Sequence, residues 1–201
     1  MTRPSYFYFD LGNVLVFFDH GKCVQNLATL AGVPEARMRH IIFESGLEDR
    51  YESGALTSLE FVEAIEHATQ KTLDPEKVLE AAADMFWENE SILPVLEQVQ
   101  RQGIRLGLLS NTCEAHWNWI VQQRYRTVLG WFEHHVLSYE VKAMKPARTI
   151  YEEAMRLTGV PAEEILFVDD RIDNIEGARA AGWNAIPFVD AAGLLRTMEA
   201  W

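Results

Sequence analysis

The sequence is short of cysteine, of basic charge and of long apolar runs. Its only two cysteines, Cys23 and Cys113, lie far apart and form no metal-type pair, so free thiols in a reducing cytosol are the simplest account. Lys plus Arg number 18 against 30 Asp plus Glu, a formal net charge of -12. So acidic a chain repels phosphate backbones, which argues against nucleic-acid binding. No apolar run approaches membrane-spanning length, and the N-terminus shows no charged region followed by an apolar one. The expectation is a soluble, unexported, cytoplasmic protein with no membrane partner. Repeats and low-complexity linkers are also missing. What is present is 48% hydrophobic residues over 201 positions, enough for one full core or a core with a smaller insert.

The chain is organised around Tyr6-Phe7-Tyr8-Phe9-Asp10-Leu11-Gly12-Asn13-Val14. Four aromatic residues in a row, without the polar gaps of a helical stripe, predict a short buried strand. The strand ends at Asp10, and Gly12 lets the chain turn sharply after it. In an open parallel sheet, ligands bind beyond the carboxyl ends of the strands, which would place Asp10 at the mouth of a site. Alone, the stretch reads equally well as an aspartate capping a turn.

From Lys22 to about Asn89 the pattern is helical and offers no convincing strand. Leu27, Leu30 and Ala31 share a face, Met38, Ile41 and Ile42 mark a second helix, Thr57-Ser58-Leu59-Glu60 is a start signal, and Asp74-Pro75-Glu76 starts another helix. From Ser91 helices and strands alternate. Strands are expected at 104–109, 135–138, 164–168 and 184–189, with a long helix from about Glu114 to Leu129. That alternation predicts an α/β fold with a parallel sheet covered on both faces.

Each strand end carries a chemically useful group: Asp10, Ser110-Asn111, Lys145 just beyond the third strand, and Asp169-Asp170. A parallel sheet brings these ends to one edge. Facing carboxylates suit a hard cation, and Mg²⁺ keeps waters that a phosphate can replace. Ser110 and nearby backbone N–H groups suit phosphate oxygens, and Lys145 adds a compact positive charge.

The ordered set Asp10-Leu11-Gly12-Asn13-Val14, Leu109-Ser110-Asn111-Thr112, Lys145-Pro146 and Asp169-Asp170 resembles the four motifs of the haloacid dehalogenase superfamily. Its closer similarity is to the bacterial α-D-glucose-1-phosphate phosphatase group, with which it shares Asp173-Asn174-Ile175-Glu176-Gly177-Ala178 as well. The resemblance implies a Rossmann-like parallel sheet, residues 1–16 and 90–201, with a helical cap inserted at 17–89. It implies a Mg²⁺-dependent phosphatase that hydrolyses a small phosphorylated metabolite, a sugar phosphate such as glucose 1-phosphate among the candidates. Asp10 would be the nucleophile that forms an aspartyl-phosphate. Ser110 would bind the transferring phosphoryl group with Asn111 beside it, and Lys145 would pair with that group and with Asp10. Mg²⁺ would be held by Asp10, the Gly12 carbonyl, Asp170, and Asp169 directly or through water.

One position departs from the usual pattern. Most phosphatases of the superfamily carry a second aspartate two residues after the nucleophile as general acid and base, where this chain has Gly12. Asp19 and His20, in the linker above the strand end, are the candidates for a replacement acid. Two rival functions follow from the same fold: a metal-independent 2-haloacid dehalogenase, against which the Asp169-Asp170 pair argues, and a catalytically silent binding or regulatory protein, against which Asp10, Lys145 and Asp170 argue. Trp117, Trp119 and Trp131 fit core packing, His116, His134 and His135 lack a metal-binding pattern, and Arg37, Arg39 and Arg50 fit surface charges better than a substrate grip.

Overall fold

The computed structural model describes residues 3–199. Five parallel strands form the main sheet in the order β5-β4-β1-β6-β7: β1 (Tyr6–Phe9), β4 (Arg105–Ser110), β5 (His134–Leu137), β6 (Ile165–Asp169) and β7 (Asn184–Pro187). β1 is central because its side chains serve both faces. Phe7 and Phe9 join one apolar layer with α6 (Leu93–Arg101) and α11 (Ala191–Met198). Tyr6 and Tyr8 alternate onto the other, against α9 (Arg148–Thr158) and α10 (Ile172–Ala180). All four rings are fully buried, and the Tyr8 hydroxyl donates to the Ala154 carbonyl at 2.8 Å, so its polar tip is satisfied. The connection leaves β1 for β4 and β5 on one side, then crosses to β6 and β7 on the other. The strand ends around β1 therefore form the crevice where such folds bind ligands.

The block between β1 and β4 holds α1 (His20–Ala31), α2 (Glu35–Arg39), a π-helical turn at His40–Glu44, α3 (Leu47–Glu52), α4 (Ser58–Thr69) and α5 (Pro75–Ala83). Its apolar core gathers Val24, Leu27, Met38, Phe61 and Ile65, and it also takes Cys113 and Ala115 from the start of α7 (Glu114–Gln123). The Thr57 capping box forms as the sequence indicates.

Three local features differ from the sequence expectation. The block is not free of strands: β2 (Val16–Phe18) pairs antiparallel with β3 (Phe86–Glu88) where the chain leaves and re-enters the sheet layer. At three residues each, neither carries a periodic signal. Helix α3 has no stripe in the sequence, for its six residues are LEDRYE. The helix expected to reach Leu129 stops at Gln123, because Arg124 turns left-handed at φ 57°. Among the described residues no helix is long and apolar enough to cross a membrane. Cys23 and Cys113 are buried and unpaired.

The inserted block is pinned to the sheet domain through α3. The Tyr51 hydroxyl accepts from the Ala115 N–H at 3.1 Å. Ser138, first residue of α8 (Ser138–Val141), places its Oγ 2.6 Å from the Glu52 carbonyl, 2.9 Å from the Thr112 carbonyl and 2.9 Å from the Thr112 N–H. Gly54 follows at φ 70°, and a Cβ there would lie 2.2 Å from the Tyr139 carbonyl, so only glycine allows the two segments to approach so closely.

Candidate active site

Each carboxyl end delivers its group. Asp10 follows β1, Ser110 ends β4, Asp169 ends β6, and Lys145 sits beyond β5 and α8. The Lys145 Nζ is buried and donates to Asp10 Oδ1 at 2.7 Å, to Asp169 Oδ2 at 2.6 Å and to the Leu109 carbonyl at 3.0 Å, which uses all three of its protons. Burial opposes its charge, but Asp10 and Asp169 outweigh burial and hold the ammonium above the ordinary lysine value. Burial pushes the Asp10 carboxyl above the carboxylate range, and Asp169 adds to this while Lys145 pulls it back.

Asp169 is fully buried and densely bonded. It accepts from the Arg171 N–H at 2.8 Å and from Asn174 Nδ2 at 3.0 Å, besides Lys145. Asp170 is half-buried, lines the cavity and accepts from Asn13 Nδ2 at 2.9 Å. Asn13 reaches it from a left-handed turn at φ 56°. Asn111 is committed at both ends of its amide: Nδ2 donates to the Lys145 carbonyl at 2.9 Å, and Oδ1 accepts the Lys145 N–H at 2.8 Å. Ser110 lies below the main cavity and opens on a small adjoining recess.

The oxygens of Asp10, Asp169 and Asp170 lie within 4.8 Å of one another. Three carboxyl groups face a single ammonium in a largely buried cluster. A hard, all-oxygen donor set of this kind fits a divalent cation.

The cavity above the cluster has a volume of about 460 Å³, the size of a small-molecule site. Its floor is Asp10, Asn111, Lys145 and Asp170, and its roof includes His20, Glu48 and Glu52 from the inserted block. Burial raises Glu52 to about 7, helped by Asp49 and opposed by Lys145. Glu48 is pushed up to about 9 by burial and by its neighbours Glu52 and Asp49. His20 is held below its ordinary value by burial and by Arg39, although Asp19 favours its charge. Asp19 itself is exposed and accepts from the Gly21 N–H at 2.7 Å as the cap of α1, away from the cavity lining.

A haloacid dehalogenase-like hydrolase family model matches residues 6–182, which span both the sheet and the inserted helices. The chain belongs to this hydrolase family. It is 28% identical over 182 residues to D-ribitol-5-phosphate phosphatase of Bacteroides thetaiotaomicron, covering 87% of each chain. It is 32% identical over 120 residues to glyceraldehyde 3-phosphate phosphatase of Methanopyrus kandleri, covering 54% of this chain and 50% of the other. Among solved structures it superposes with a TM-score of 0.79 on a family enzyme of Bacteroides thetaiotaomicron in complex with magnesium and inorganic phosphate. That pair shares 26% identity, with 93% of this chain and 95% of the other covered.

Sequence reasoning missed Asn13, Glu48 and Glu52 as parts of this site. Asn13 stands inside the first motif and had a signal, since asparagine is among the few residues that tolerate a left-handed turn. The two glutamates lie on a six-residue helix without periodicity, and nothing local marks them.

Proposed function

We propose that this hydrolase is a Mg²⁺-dependent phosphatase of a small phosphorylated metabolite, acting through an aspartyl-phosphate on Asp10. The observation that carries the proposal is the Lys145 ammonium bridging Asp10 and Asp169 beneath a cavity whose carboxylates fit a divalent cation. The relatives named for D-ribitol 5-phosphate and glyceraldehyde 3-phosphate support it, as does the magnesium and phosphate complex of the neighbour. They also favour a polyol or sugar phosphate as the substrate class, while glucose 1-phosphate rests on the sequence motifs alone. Residues 17–89 would act as the cap that closes over it.

In this reading Asp10, the Gly12 carbonyl and Asp170 would hold Mg²⁺, which would supply neutralisation of phosphate charge. Asp10 Oδ1 is fixed by Lys145, and its carboxylate faces the cavity for attack on phosphorus. Lys145, its three protons on Asp10, Asp169 and the Leu109 carbonyl, would stabilise the transferring oxygens through its buried positive charge. Asn111 orients the Lys145 backbone, and Ser110 offers a hydroxyl from the recess. Asp169, whose oxygens are already engaged, holds Lys145 and would help to hold a cation directly or through water. The dehalogenase alternative would bring a carboxylate substrate against three carboxylates with a single ammonium to receive it. Hydrolysis of p-nitrophenyl phosphate with and without Mg²⁺ tests the proposal. Turnover that needs the metal is expected, and none in either condition would refute it.

A further inference from the structure

A phosphatase of this design needs a proton for the leaving oxygen, and position 12 cannot supply it. Space is also closed there: a Cβ on Gly12 would lie 2.9 Å from Phe18 Cε1, so the Phe18 ring occupies the volume a side chain at 12 would enter. The recess of about 70 Å³ beside it is lined by Gly12, Phe18, His20, Ser110 and, from the facing wall, Glu52. Glu52 also lines the main cavity with Asp10, Lys145 and Asp170. We propose that Glu52, borne on the inserted helix α3, is the catalytic general acid and base that replaces the carboxylate absent from position 12. This rests on the phosphatase reading and adds to it a named proton donor.

Position favours Glu52 over the other titratable groups of the cavity. Asp173 is exposed and paired with Arg171 at 2.7 Å. Asp49 is exposed at the rim. His20 is stacked on Phe43, and burial and Arg39 disfavour its charged form, which makes it the weaker candidate for a proton donor. Glu48 lines the main cavity but not the recess beside Ser110. Glu52 alone among the acids borders both spaces, and its backbone is held to the strand-end loop by Ser138 Oγ at 2.6 Å. Among the described residues its carboxyl has no hydrogen bond or ion pair to occupy it. The titratable groups facing it are Glu48 and Asp49 on its own helix, Lys145 from the loop beyond α8, and the Cys113 thiol just before α7. Their balance leaves it able to carry a proton at neutral pH and to release it.

In the first step an Asp10 oxygen forms a bond to phosphorus, the phosphorus–leaving-oxygen bond breaks, and the Glu52 proton passes to that oxygen to give the alcohol. In the second, the Glu52 carboxylate takes a proton from water, the water oxygen bonds to phosphorus, and the bond to Asp10 breaks to release phosphate. Both proton and electron pair return to their starting places.

The test compares an alkyl ester, 2-glycerol phosphate, with the aryl ester p-nitrophenyl phosphate, whose leaving group needs no proton. Glu52→Gln is expected to lower kcat/KM about 10²–10⁴-fold for the alkyl ester and far less for the aryl ester. It should also remove the fall in alkyl-ester rate above about pH 7. Glu52→Asp should recover part of the alkyl activity. Equal losses on both esters, or none on either, would overturn the proposal while leaving the phosphatase reading in place. No turnover of either ester by the unaltered protein with Mg²⁺ would overturn both. If circular dichroism shows Glu52→Gln to be unfolded, the unaltered protein decides. A fall above about pH 7 confined to the alkyl ester supports the proposal, and the same fall with both esters overturns it.

Discussion

Lys145 on the sheet wall of the cavity gives its protons to three oxygens, whereas Glu48, Asp49 and Glu52 on the opposite wall have, among the described residues, no hydrogen bond or ion pair to their carboxyls. On the sheet side Asn111 is likewise bonded at both ends to the Lys145 backbone, and Asn174 donates to Asp169. One wall is complete before a substrate arrives. The other keeps its acids available, at a cost in stability for Glu48 and Glu52, because burial without a partner disfavours the charge of those two. Preorganisation on one side and unmet need on the other is the pattern expected where one wall fixes the phosphoryl group and the other handles what is attached to it.

The largest expected effect tests whether the sheet wall does the chemistry. Asp10→Asn retains the shape but is a far poorer nucleophile, and its kcat should fall about 10⁴-fold or more, as losses of a nucleophile do. Single-turnover assays would show it, and substantial turnover by the purified variant would end the covalent mechanism. Next, Lys145→Met removes the bridge and strands Asp10 and Asp169 as unpaired buried acids. Denaturant unfolding at pH 7 should show a loss of about 3–5 kcal/mol, where rim pairs such as Arg156–Glu153 would show almost none.

Gly12→Asp sharpens the contrast from a different direction. It would restore an acid on the sheet wall, but Phe18 must move to admit it, so a loss of about 1–3 kcal/mol is expected. Phe18→Leu in the same chain should return part of that loss in thermal unfolding. The smallest effect is a gain. Glu48 keeps its proton up to about pH 9 in the folded chain but loses it near 4.5 when unfolded. Between those values the folded state binds more protons, so stability falls as pH rises through the window and is fully present only below it. Glu48→Gln should therefore raise stability at pH 8 by about 1–2 kcal/mol after allowing for partial exposure, and change little at pH 5. A melting temperature unchanged at both pH values would mean that the cap wall carries no such strain.

The sheet was legible in the sequence because its three central strands, β1, β4 and β6, are short apolar runs ended by a polar group, and β1 shows this most strongly. The same property exposed Asp10, Ser110 and Asp169, since strand ends are local signals that topology then brings together. Lys145 was legible more weakly, as a charge just beyond the third strand, and its pairing with Asp10 through its motif. Helix α3 was not legible. Leu47 and Tyr51 are its two buried residues, too few for a stripe, and its position depends on contacts with Ala115 and Ser138 far along the chain. The replacement acid was sought next to Gly12 in Asp19 and His20. Asp19 instead caps α1, because its side chain reaches the Gly21 N–H two residues on.

Ser138 makes the seam between the walls reversible. A hydroxyl has one proton, and here two carbonyls, Glu52 and Thr112, lie within its reach. Were α3 to lift, the proton could turn from the first to the second, and the released Glu52 carbonyl would meet water rather than a void. Parting the two walls would therefore strand no donor at this joint, whereas a Ser138→Ala chain would leave the Thr112 N–H without its acceptor.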